Sequence, residues 1–148
     1  MESLSAIAAE PPACSKDAVA HAVAEQFGLD GDYTPLVSER DQNFCLGVAD
    51  GRRFVVKVTS LEELPATSDF QLGALLHLEG AGIEVPSVVR TRDGAAYGLI
   101  ESPQGRHRLR VVTWIEGEPL LAAGINASRA AELGTALANL HNALRGYA

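Results

Sequence analysis

Lys57 closes a run, Arg53-Phe54-Val55-Val56-Lys57-Val58, that follows the segment Phe44 to Ala49 across Asp50-Gly51. Two β-rich segments joined by Asp-Gly predict a hairpin, the dipeptide supplying the φ > 0 residues of a tight turn. Alternation along the second strand then sends Phe54, Val56 and Val58 to one face and Val55 and Lys57 to the other. Ahead of the hairpin lies a turn of mostly polar residues, Ser38-Glu-Arg-Asp-Gln-Asn43. Such a hairpin has the parts to bind a nucleotide: the valine covers the base, the lysine meets phosphate oxygens and loop amides close over the phosphates. The competing reading is an edge-strand lysine directed into water, the usual fate of a strand lysine.

Other chemistries find little support. The chain has no GxxxxGK[ST] loop and no GxGxxG after a strand, which sets aside the P-loop and dinucleotide routes to phosphate binding. Cys14 and Cys45 stand alone, His21, His77, His107 and His141 are scattered, and no CxxC or HExxH spacing occurs, so no metal site or disulfide framework is expected. A net charge of −7 argues against a nucleic-acid partner, which would need a basic footprint, while leaving room for a mononucleotide held by local groups. No apolar run reaches membrane length and no signal-peptide pattern opens the chain, so neither a membrane partner nor export is expected and the cytoplasm is the expected location.

The elements that must position the lysine follow from local signals. At 148 residues and 47% hydrophobic content, one core of ordinary size is expected. Residues 1–14 read as a loose arm broken by Pro11-Pro12. Ser15 caps a helix with Asp17 in its first turn, Val19, Val23 and Phe27 on one stripe, and Gly28 as its stop. Strands are expected at Tyr33 to Ser38, Phe44 to Ala49, Arg53 to Val58, Ser87 to Thr91, Ala96 to Ile100 and His107 to Ile115. A second helix is expected from a Ser68 cap to about Glu79, and a last one from Asn126 or Ser128, with Leu133, Leu137, Leu140 and Leu144 on one stripe. The order is that of an α+β layer, a mainly antiparallel five-stranded sheet with a packed helix and helices at both ends. Arg106, Arg108 and Arg110 fall on alternate strand positions and are expected to form a solvated basic face.

Taken together, the Ser38–Asn43 turn, Lys57, Gly82-Ile-Glu-Val-Pro86, Val111-Val-Thr-Trp-Ile-Glu-Gly117 and the helix Leu133-Gly-Thr-Ala-Leu-Ala-Asn-Leu-His141 resemble the N-terminal lobe of the aminoglycoside phosphotransferase-like kinases. The turn and the Val-Val-Thr-Trp-Ile-Glu-Gly segment are most similar to the hydroxylysine kinase branch, some members of which are fused to a class III aminotransferase. The resemblance covers about residues 16–145. It implies a nucleotide-binding kinase-like lobe over residues 15–117, followed at 118–148 by a linker and the helix that begins a second lobe. It also implies roles residue by residue. Lys57 would hold the α- and β-phosphates of ATP or GTP carrying Mg²⁺. Arg40, Asp41, Gln42 and Asn43 would lie over the phosphates and contribute backbone N–H groups. Val55 would pack on the base, and Thr113, Trp114 and Ile115 would be the hinge whose backbone reads its edge. By the resemblance His141 would be a buried structural histidine; His77 reads as a solvated helix residue.

One position departs from the family pattern. Where these kinases place a glutamate that pairs with the lysine, the alignment puts Gln71, which is expected to accept a hydrogen bond from Lys57 without adding charge. Asp69 and Glu62-Glu63 are the alternatives. The family's His-x-Asp catalytic loop and its metal-holding aspartate strand have no counterpart in the sequence, and the last acid is Glu132. The expectation is therefore a nucleotide-binding lobe without catalytic residues of its own, serving phosphoryl transfer to a hydroxyl of a small amine or amino acid. The alternatives are a non-catalytic interaction or regulatory module on the kinase fold, and an unrelated α+β domain. A leucine stripe left uncovered would invite self-association, since burying each leucine is worth on the order of 1.5–3 kcal/mol.

Overall fold

The computed structural model describes residues 11–147. It contains α1 (Lys16–Phe27), β1 (Gly31–Leu36), β2 (Gln42–Val48), β3 (Arg53–Val58), α2 (Pro65–Gly80), β4 (Gly98–Ser102), β5 (Gly105–Thr113), α3 (Leu120–Ala123) and α4 (Ala127–Leu144). The strands form one antiparallel sheet in the order β1-β2-β3-β5-β4, as the α+β reading expects. α1 starts and stops on its caps: Ser15 Oγ accepts from the Ala18 amide, and Gly28 takes the left-handed conformation at φ 70°. Its buried stripe, Val19, Ala22, Val23 and Phe27, meets Phe44, Leu46, Phe54, Val56, Val58, Leu109 and Val111 to make the core.

Several expectations are corrected. The hairpin turn has one positive-φ residue, Gly51 at 88°, and not two. Val48 and Arg52 bracket a three-residue loop in which the Gly51 amide donates to Val48 O, while Asp50 Oδ1 accepts from the Arg52 amide. This is a type I turn closed by a left-handed glycine, so Asp50 works through its side chain. α2 begins a turn earlier than Ser68 because Pro65 occupies its first turn with φ already set for a helix. Ser68 is thereby carried inside, where its hydroxyl has no partner among the described residues. The segment Ser87 to Thr91 keeps a single bridge, Val88 to Val112, because Thr113 already occupies Ser87 through its amide and hydroxyl.

Residues 1–10 of the expected loose arm lie outside the described residues, as does Ala148. The remainder of the arm is not loose. Pro12 and Cys14 are buried, Gln42 donates to Cys14 O and accepts from its amide, and Gln104 does the same for Pro11 and Ala13. At the other end α4 packs on α2. His77 Nε2 lies 2.8 Å from Ala143 O, and Tyr147 donates to Phe70 O while its ring meets Phe70 at 5.2 Å. The two histidines thus exchange their expected places: His77 is the half-buried, bonded one and His141 is exposed. In the leucine stripe, Leu140 and Leu144 are half-buried and Leu133 and Leu137 stay exposed.

Candidate functional site

Alternation in β3 and β5 builds two unlike faces from the same strands. Val56, Val58, Leu109 and Val111 enter the core, which turns Val55, Lys57, Arg110 and Val112 toward α2. There they join Phe70, Gln71, Leu72, Ala74, Leu75 and Leu78 around a cavity of about 410 Å³. Lys57 therefore does not point away from the molecule. It lies on the wall of an open, mostly apolar cleft, flanked across the strands by Asn43 of β2 and Arg110 of β5.

The partner of the ammonium is not the expected one. Lys57 Nζ lies 2.5 Å from Asp41 Oδ2, with both side chains largely shielded from water. Asp41 Oδ1 accepts from the Ser60 amide at 2.8 Å, just past the end of β3, and the Asp41 amide donates to Ser38 Oγ. Gln71 lines the same cleft, but its Oε1 accepts from Arg110 Nη1 at 2.9 Å and makes no bond to Lys57. The register explains the switch: Arg110 stands directly opposite Lys57 and brings a longer, forked donor to the helix.

Arg110 is a site residue that the sequence reading missed, and Glu63, an alternative partner for Lys57 in that reading, pairs with Arg110 instead. Arg110 is buried, contrary to the expected solvated basic face, and donates from Nη2 to Glu63 at 3.3 Å while its Nε has no partner among the described residues. Burial pushes the Arg110 guanidinium below its ordinary value, opposed by the charges of Glu63 and Asp41. Arg108, two residues earlier, pairs with Asp69 at 2.5 Å and lies over the Tyr97 ring. The signal available was phase: pairing β3 with β5 puts Arg110 on the lysine's face, within reach of Glu63 just before α2.

The remaining expected residues divide. Arg40 is exposed at the turn tip. Gln42 turns its side chain away to tie down Cys14. Asn43 sits beside Lys57 with a buried Oδ1 that has no partner among the described residues. At the expected hinge, the Thr113 amide donates to Ser87 O and the Trp114 amide to Arg53 O, both at 3.0 Å. Neither is open to a base, whereas no described residue accepts from the Ile115 amide. The Trp114 ring is covered by the Arg53 guanidinium at 4.8 Å, and Arg53 in turn pairs with Glu116. For a metal, the described residues offer no cluster of three or more His, Cys, Asp or Glu.

The cleft offers a limited set of parts: apolar walls with room for a flat ring, a partly shielded cation, and a turn tied to that cation through Asp41. Relatives share this frame. An amicoumacin kinase solved with AMP-PNP, Ca²⁺ and Ami superposes with a TM-score of 0.79 over 91% of this chain and 41% of that one, at 18% identity. A microcompartment-associated aminopropanol kinase gives 0.66 at 16% identity, over 86% of this chain and 40% of that one. In sequence, hydroxylysine kinase of Mus musculus is 28% identical over 126 residues, and homoserine kinase of Burkholderia ambifaria strain MC40-6 is 34% identical over 111. These matches take in 76% and 73% of this chain but 34% and 30% of the relatives, so the chain spans about a third of their length. Residues 32–147 match the phosphotransferase enzyme family (APH), and the chain belongs to that family.

Proposed function

We propose that this chain is the nucleotide-binding lobe of a small-molecule phosphotransferase, with the lobe proper at 15–117 and the linker and first helix of a second lobe at 118–148. ATP or GTP, with Mg²⁺ arriving on its phosphates, binds in the cleft facing α2. Lys57 holds phosphate oxygens, the Arg40–Asn43 turn covers them, Val55 and Val112 flank the base, and the Ile115 amide meets its edge. Phosphate then passes to a hydroxyl of a small amine or amino acid held by segments that this chain does not contain. The kinds of substrate named for the relatives support that acceptor class.

The observation that carries this reading is the direction of Lys57, into a cleft and toward a covering turn. Against the alternative of a non-catalytic module, Asp41 supports the reading by giving Lys57 a carboxylate partner where Gln71 gives none. Calorimetric titration of the chain with MgATP tests the proposal. Lys57→Ala should weaken binding at least about tenfold, the size of a lost charge-assisted contact, with the melting profile retained. Equal affinity in the two proteins would refute it. The chain alone should transfer no phosphate to hydroxylated amines, since no His-x-Asp loop is in its sequence.

A further inference from the structure

Lys57 needs a fixed position if phosphates are to find it, and the cleft shows which group can fix it. Every described acid near the start of α2 is committed elsewhere or faces water. Asp69 is taken by Arg108, Glu63 by Arg110, and Glu62 is exposed. Gln71, which lines the same cleft, is also held by Arg110. Among the described residues Asp41 alone meets the ammonium, and its other oxygen is fastened to the Ser60 amide. One carboxylate thus ties the covering turn to the lysine and to the end of the lysine's own strand.

Resting on the nucleotide reading above, we infer that Asp41 is the positioning residue of Lys57, taking from the turn the part that a helix carboxylate plays elsewhere in the family. An ammonium has three N–H donors. Asp41 engages one and leaves two for phosphate oxygens. Because the anchoring carboxylate belongs to the turn, lysine and cover are set in place together, and α2 is free to answer to Arg110.

A double-mutant cycle on MgATP affinity tests this, using the chain and the variants Lys57→Ala, Asp41→Asn, and both. Asparagine keeps the size of the side chain and can still accept from the Ser60 amide, so it removes the charge alone. Asp41→Asn is expected to weaken binding about tenfold in the native background and less than about twofold when Lys57 is already alanine. Asp41→Glu, which keeps the charge, should restore most of the affinity. Asp69→Asn should leave it unchanged. Should the asparagine variant not fold, Asp41→Ser reads the same loss. Unchanged or tighter binding in Asp41→Asn, an equal loss in both backgrounds, or a matching loss in Asp69→Asn overturns the inference. If wild type and Lys57→Ala differ while Asp41→Asn matches wild type, only this inference falls; if Lys57→Ala changes nothing, the nucleotide reading falls first.

Discussion

The two faces of the sheet come from the same strands yet are built to different ends. On the α1 face, Val56, Val58, Leu46, Leu109 and Val111 are fully buried and belong to one hydrophobic core cluster. On the α2 face, positions one residue away carry Lys57, Arg110 and Asn43 among half-buried valines, with orphaned polar atoms at Asn43 and Arg110. The first face is almost wholly apolar, its polar exceptions being His107, whose ring nitrogens meet Thr59 O and Ser102 Oγ, and the Tyr33 hydroxyl. The second keeps polar groups out of full contact with water without fully pairing them, a costly arrangement in a region needed only for stability. Under the proposed reading, the difference teaches that β3 separates folding from binding one residue at a time.

The comparison breaks most sharply where a core residue is truncated. Leu109→Ala should destabilise the chain by about 2–5 kcal/mol, read as a lower denaturant midpoint. Val55→Ala, on the other face of the neighbouring strand, should cost well under half of that and show itself in nucleotide affinity instead. Equal stability losses would mean the faces are not distinct. Next in size is Arg110→Ala, which leaves Glu63 shielded and unpaired and should cost about 1–3 kcal/mol in a urea titration.

Smaller effects sharpen the picture at its margins. Burial, with some help from the charge of Asp30, pushes the Tyr33 hydroxyl from 10.0 up to about 12, and its oxygen has no partner among the described residues. The unfolded chain therefore releases this proton first, and stability falls as pH rises from about 10 to about 12. Tyr33→Phe should flatten that decline in melting temperature while leaving neutral-pH stability nearly unchanged. Smallest of all, Leu137→Ser should reduce any concentration-dependent light scattering, since Leu137 is 56% exposed beside Leu133. Scattering identical in both proteins would remove the stripe as a self-association surface.

Local signals carried much of the fold. Caps at Ser15 and Gly28 and alternation in β3 depend on neighbours in sequence, so the first helix and the hairpin strands could be read directly. What escaped depends on partners far along the chain. His77 and His141 were exchanged because the choice rests on how α4 lies on α2, a contact spanning 66 residues. Ser68 has the type of a cap, but Pro65 is equally able to open a helix and does so here. In the site, Lys57 and its face were legible from period-two patterning. The direction of Asp41 was not, because a turn residue has no phase, and Arg110 became a rival for Gln71 only once β3 and β5 were paired.

The chain has two lysines, Lys16 at the start of α1 and Lys57 in the cleft, and this makes the central claim directly measurable. An ATP carrying a reactive acyl group on its terminal phosphate transfers that group to an amine held against the phosphates, releasing ATP. Peptide mass spectrometry after brief exposure should find the acyl group on Lys57, reduced by excess MgATP, with any mark on Lys16 indifferent to it. Labelling of Lys57 no faster than Lys16 and untouched by MgATP would contradict the account.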